Sequence, residues 1–260
     1  MKQRIITAII ALLIFIPFIL YGNMPFTILI YIMAAIGLSE FMKMHQLNIV
    51  SFPALLAFAL LFVMLAPLDS TIFSWFTKTE AIMLFTLILL AYTVLVKNEF
   101  TFDDAGFILI STLYVSMGFY FLLVTREAGL DYVFFILFII WATDTGAYLF
   151  GRAFGKRKLW PQISPNKTIE GAIGGIIAAC IVALVFHFIQ PFPHSYIVIL
   201  GATILASSFG QIGDLVESAY KRHYQVKDSG NLLPGHGGIL DRFDSLLFVL
   251  PLLHFIGFIQ

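Results

Sequence analysis

The chain has 260 residues, equal numbers of basic and acidic residues, only 12% charged residues, 60% hydrophobic residues with 28 Phe among them, and a mean hydropathy of +0.96. Soluble domains average about 45 to 50% apolar and about 25% charged, so a water-soluble globule is excluded, and the balanced charge leaves no electrostatic footprint for nucleic acid. A single cysteine, Cys180, excludes an intrachain disulfide and leaves the redox compartment open.

Crossing a bilayer takes about 20 mostly apolar residues, because lipid offers backbone groups no hydrogen-bond partner and a helix satisfies its own. By that measure nine helices are predicted, over residues 4–21, 24–42, 52–68, 79–96, 105–125, 132–150, 170–190, 196–217 and 240–259. The fourth and ninth are the weakest, and eight crossings result if one of them only dips into the bilayer. The first stretch, "MKQRIITAIIALLIFIPFIL", has the basic start and apolar core of a secretory signal but no A-x-A-like cleavage site after it, so it reads as an uncleaved first span. The expectation is an all-α, polytopic integral membrane protein with one membrane domain. Its N-terminal half, 1–130, is apolar; its C-terminal half, 131–260, carries the polar chemistry on two loops, 151–169 and 218–239.

Short cytoplasmic loops collect Lys and Arg. With the N-terminus inside, thirteen of the fifteen Lys and Arg residues fall on the cytoplasmic side, most of them in those two loops, and only Lys78 and Arg126 fall outside. An odd number of spans preserves that bias.

The C-terminal half also places carboxylates at costly depths. Asp144 lies in "FIIWATDTGAYLF" and Asp214 in "SSFGQIGDLVESAY", and an ionised side chain within a span usually faces a polar cavity and serves function. Asp214, Glu217, Ser218 and Lys221 stand at i, i+3, i+4 and i+7, one helix face if the eighth helix reaches that far. Asp241 and Asp244 share a face at the start of the ninth helix, with Ser245 beside them. Two carboxylates at that distance call for something positive between them: a divalent cation such as Mg²⁺, which favours oxygen ligands and substrate phosphates, or Arg242 or Lys227 as a salt-bridge partner. Just before them, "PGHGG" breaks the helix, and its backbone N–H groups, with a helix N-terminus behind them, would suit a phosphate.

The stretch "SAYKRHYQVKDSGNLLPGHGGILDRFD", residues 218–244, resembles the signature of the phosphatidate cytidylyltransferases, or CDP-diacylglycerol synthases: S, two residues on K-R, four residues on K-D, then P-x-H-G-G-x-x-D-R-x-D. The resemblance extends through "DTGAYLFGRAFGKRKL", "SPNKTIEG" and "SSFGQIGDLVES" and covers residues 141–250. One position departs: Asn166 stands where members commonly carry a second Lys before Lys167.

The resemblance implies a reaction that joins phosphatidic acid to CTP, giving CDP-diacylglycerol and pyrophosphate, in a bacterial inner membrane with membrane lipids as partners. It implies Asp214, Lys221, Lys227, Asp228, His236, Asp241 and Asp244 as catalytic positions, and Ser164, Lys167, Ser218, Arg222, Gly237, Gly238 and Arg242 as substrate contacts. Asp214, Asp241 and Asp244 would hold Mg²⁺, with room for a second cation such as K⁺. The division of Lys167, Lys221, Arg222 and Lys227 between triphosphate and lipid phosphate stays open. His236 either donates to a phosphate or caps its turn. Lys156, Arg157 and Lys158 are better explained by topology and anionic headgroups. Gly171 and Gly175 form a G-x-x-x-G, a pattern of close helix packing such as a homodimer contact. Two rivals remain at this level. A CTP-dependent lipid or polyprenol kinase would move the γ-phosphate and release CDP, and a cation transporter would place the same acids at a midplane site.

Overall fold

The computed structural model describes residues 2–67 and 76–259. Among them the chain runs α1 (Lys2–Tyr21), α2 (Asn23–Met44), α3 (Phe52–Leu65), α4 (Lys78–Leu95), α5 (Phe102–Ala128), α6 (Leu130–Phe154), β1 (Lys158–Trp160), β2 (Ser164–Thr168), α7 (Ile169–Ile189), α8 (Tyr196–His223) and α9 (Leu240–Phe255). Every predicted helix has a counterpart. The loop expected over 151–169 differs: α6 continues to Phe154, and the remainder folds into an antiparallel β1–β2 hairpin whose register pairs Lys158 with Thr168 and Trp160 with Ser164. Pro165 and the short strands gave no alternation from which that ribbon could be read.

Six of the described helices, α2 and α4 to α8, are long and apolar enough to cross a membrane. At 1.5 Å per residue, the 14 residues of α3 and the 16 of α9 span roughly 21 and 24 Å, short of a hydrocarbon core of about 30 Å. The exposed faces are those a bilayer requires. On α7, Ile173, Ile177, Ile181, Val185 and Phe188 form an outward stripe of large apolar side chains at helical spacing, a surface that water would not tolerate and lipid favours. The protein is an integral membrane protein by this surface and these helices.

The chain divides into two compact units, residues 1–123 with 229–240, and residues 124–228 with 241–260. In the first, α2 supplies fully buried Phe26, Ile30, Leu38, Phe41 and Met42, with Leu61 and Leu65 from α3, Leu89 from α4 and Phe119 from α5. Its helix ends are held by specific groups. Thr77 and Glu80 form a reciprocal capping box at the start of α4. Lys78 donates to the Met64 carbonyl at 2.8 Å and lies 3.7 Å over the Tyr120 ring, satisfying an orphan carbonyl at the end of α3.

The second unit is organised by small residues. A Cβ on Gly171 would meet the Ala147 carbonyl at 2.8 Å, and one on Gly175 would meet the Thr143 carbonyl at 2.7 Å, so α7 lies backbone to backbone on α6. The G-x-x-x-G face is therefore occupied inside the chain, and the homodimer contact expected of it has no free surface there. On α8, a Cβ at Gly213 would meet the Asp244 carbonyl at 2.7 Å, and one at Gly210 would meet Val249 at 3.3 Å. Gly210 and Gly213 are three apart, hence on one face, and they let α9 approach α8 along the turn where both carry carboxylates. Thr143 donates to Ser207 at 2.8 Å between α6 and α8, and Ser245 to the Gly210 carbonyl at 3.1 Å between α9 and α8. Small residues and hydroxyls thus bring α6, α8 and α9 together where the acids lie.

Candidate active site

Because α8 continues to His223, the expected polar stripe exists as one face. Lys221 reaches Glu217 on its own helix at 2.7 Å and Asp241 on α9 at 2.6 Å. The side chains of Glu217 and Asp241 are only 3% and 5% exposed, so Lys221 is one positive charge shared between two acids that have lost their water. One turn earlier, Asp214 accepts from Lys167 at 2.6 Å, with Ser218 Oγ at 3.4 Å from its other oxygen. Asp244 accepts the Ser245 backbone N–H at 2.6 Å.

Lys167 is delivered by the hairpin. Thr168, the last residue of β2, is the N-cap of α7 and accepts the Gly171 N–H at 3.1 Å. Glu170 takes the N–H groups of Lys156 and Arg157 at 3.1 and 3.2 Å, closing the base of the ribbon. The lysine therefore projects from an anchored element rather than a free loop. Beyond the direct pairs, Asp144 on α6 is within electrostatic reach of Asp214, Lys167 and Arg242, and Asp244 is within reach of Asp214, Asp144 and Lys221. Glu217 is in turn within reach of Asp241 and Asp244. Five carboxylates from three helices thus share one neighbourhood with Lys167, Lys221 and Arg242, a surplus of negative charge.

That surplus, and donors that are all oxygen, fit the chemistry of a hard divalent cation. No three Asp, Glu, His or Cys side chains among the described residues are posed on a common point to hold a metal ion; Asp214 and Asp241 each face a lysine ammonium instead. The arrangement offers anchored cations for phosphate and carboxylates whose partners can change, the elements that phosphoryl chemistry needs.

The chain matches the Cytidylyltransferase family over residues 2–259. It belongs to that family. It is 50% identical over 261 residues to the phosphatidate cytidylyltransferase of Bacillus subtilis (strain 168), an alignment that covers 98% of this chain and 97% of the relative. It is 49% identical over 254 residues to the phosphatidate cytidylyltransferases of Staphylococcus haemolyticus (strain JCSC1435) and Staphylococcus aureus (strain COL), covering 98% of each chain.

Within this cytidylyltransferase-family chain the other predicted residues take varied positions. Arg222 is exposed and donates from Nε to the Ile163 carbonyl at 3.4 Å, which ties the end of α8 to the hairpin. Ser164 opens β2 opposite Trp160. Lys227 and Asp228 are exposed, as is Arg242. His236, Gly237 and Gly238 belong to the first unit. There the His236 N–H donates to the Leu233 carbonyl at 2.8 Å and the Leu233 N–H to the Gly237 carbonyl at 2.9 Å. Gly235 and Gly237 have φ of 76° and 83°, the left-handed region that a side chain disfavours, so "PGHG" is a tight turn.

The reading of "PGHGG" as a phosphate nest before a helix N-terminus needs correction. The Ile239 and Leu240 N–H groups at the start of α9 donate at 2.8 and 3.0 Å to the carboxylate of Glu40 on α2, and Ser229 Oγ donates to it at 3.0 Å. The anion at this helix end is the protein's own. Sequence reading missed Glu40. The available signal was an ionisable residue inside "YIMAAIGLSEFMKM", the same signal that picked out Asp144 and Asp214.

Proposed function

We propose that this chain is a phosphatidate cytidylyltransferase, joining phosphatidic acid to CTP to give CDP-diacylglycerol and pyrophosphate. The observation that carries the reading is the cluster in which Lys167 and Lys221 hold Asp214 and Asp241 on facing helices. It lies within residues 141–250, over which the resemblance to the family runs, in a chain matched over 98% of its length by relatives of that name.

The chemistry needs little from the protein beyond charge and alignment. A phosphate oxygen of phosphatidic acid attacks the α-phosphorus of CTP; a P–O bond forms there, the α–β bridging bond breaks, and pyrophosphate leaves opposite. The nucleophile is already an anion near neutral pH, so no strong general base and no covalent enzyme intermediate are required. Lys167 and Lys221 turn from their carboxylates toward phosphate oxygens, with the exposed Arg222 and Lys227 as further cations for the substrates. Arg242, beside Asp144, keeps the remaining carboxylates from repelling the substrates. Asp214, Asp241 and Asp244 would hold Mg²⁺, with K⁺ as a second cation beside it; when bound, the metal neutralises the phosphates of both substrates and supports their approach. Asp144 and Glu217 add to the negative field that draws cations in.

In the membrane, the nine helices of the described residues cross or insert with the N-terminus and the segments 151–169 and 218–239 cytoplasmic, where CTP is available. The host is a bacterial inner, or plasma, membrane. The short α3 and α9 reach the opposite surface only where the bilayer thins or neighbouring helices cover their ends.

The test uses the purified protein in detergent with phosphatidic acid, Mg²⁺ and CTP labelled separately at the α and γ phosphates. The reading requires α-label in the lipid and γ-label in pyrophosphate. Label from the γ position in the lipid, with CDP released, would mean a kinase, and label in neither would end the enzyme reading.

A further inference from the structure

Glu40 is 3% exposed on α2, inside an apolar run where a carboxylate is costly. Three donors to it come from a segment about 200 residues away in the chain: Ser229 Oγ at 3.0 Å, the Ile239 N–H at 2.8 Å and the Leu240 N–H at 3.0 Å. The loop is moulded on this group. A Cβ at Gly230 would come 2.7 Å from Glu40 Oε1, and one at Gly238 would overlap both the carboxylate and Ser229 Oγ. One side chain therefore holds both ends of the segment 229–240. The residues just outside each end in the chain are those assigned to the reaction: Lys227 and Asp228 precede Ser229, and after Leu240 come Asp241, in the first turn of α9, and Asp244, three residues further on.

We infer that Glu40 is a positioning residue for cytidylyl transfer: its carboxylate clamps the two ends of the signature loop and caps α9, and so sets where Lys227 and Asp241 enter the site. The inference rests on the function proposed above. The clamp works because a carboxylate accepts in four lone-pair directions, donates nothing, and suits the positive end of the helix dipole. An amide of the same shape turns one acceptor into a donor that meets donors.

The test compares the full-length protein with Glu40→Gln and Glu40→Asp variants in detergent, measuring kcat per folded enzyme, KM for CTP, and hydrogen exchange of peptides spanning 229–240. Glu40→Gln lowers kcat roughly 10- to 100-fold with little change in KM, as expected for a misplaced catalytic group. Exchange in 229–240 rises about tenfold or more as the amides lose their acceptor, and Glu40→Asp, which keeps the charge, recovers part of both. A role confined to holding the fold would reduce the yield of folded protein and leave kcat per folded enzyme at the parent value; that result overturns the inference. Where Glu40→Gln does not fold, Ser229→Ala removes the hydroxyl bond to the carboxylate; it lowers kcat about threefold and speeds exchange, and parent values in both overturn the inference. Failure of the parent itself to form CDP-diacylglycerol would count against the proposed function, whereas unchanged exchange in 229–240 would count against the clamp alone.

Discussion

Glu40 in the first unit and Glu217 in the second are equally buried, each 3% exposed, yet they are compensated in different ways. Glu40 takes a hydroxyl and two backbone N–H groups. These donors are part of the fold and cannot leave without unmaking the start of α9. Glu217 takes the ammonium of Lys221, which it shares with Asp241, and its second oxygen, Oε1, is buried with no hydrogen-bond partner among the described residues. A lysine is a point charge on a flexible four-carbon stem, so another cation or a phosphate can replace one of its partners. Backbone donors make a permanent carboxylate, useful for shape. Lysine donors make an exchangeable one, useful for binding and turnover.

That contrast is sharpened most strongly by removing the cation expected to exchange with the lysines. Excess EDTA abolishes turnover and added Mg²⁺ restores it, while hydrogen exchange in 229–240, held by Glu40, stays unchanged; activity that persists in EDTA would remove the exchangeable-carboxylate account. Next in size is Lys221→Met, which strands Glu217 and Asp241. Breaking a buried pair costs about 3 to 5 kcal/mol, and loss of a transition-state donor costs roughly 10²- to 10³-fold in kcat. Adding Glu217→Gln recovers thermal stability without recovering kcat. Recovery of both would reduce Lys221 to a counter-ion. The smallest effect is expected of Gly213→Ala, whose new methyl meets the Asp244 carbonyl at 2.7 Å and Phe248 Cβ at 3.0 Å. It separates α8 from α9 at a cost of about 1 to 3 kcal/mol, seen as a lower Tm and a several-fold fall in kcat.

Helix existence was legible because spans in lipid must be long, apolar and self-satisfied, and hydropathy records that directly. The α8 stripe was legible because Asp214, Glu217, Ser218 and Lys221 repeat at the helical period. Their partners were not: Lys167 lies 47 residues from Asp214 in the chain, and the ribbon that delivers it has no strand pattern. The helix start after "PGHGG" was recognised as a place where N–H groups meet an anion, but the donors shown are Ile239 and Leu240 rather than the glycines, and the anion is Glu40 rather than a phosphate. Glu40 approaches from about 200 residues away, and periodicity carries no information about such a pairing. Gly171 and Gly175 were read correctly as a close-packing face, with the partner misassigned, since a motif of small residues does not say whether the facing helix is its own.

The central claim, that the lysine-held acids of the second unit are the reacting site, is tested most directly by Asp241→Asn in the membrane-embedded protein, with turnover of CTP and phosphatidic acid measured per folded enzyme. The substitution keeps size and burial while removing the charge that Lys221 holds at 2.6 Å. The account predicts a loss of at least about 10³-fold with folded protein still in the membrane; turnover at the parent rate would contradict it.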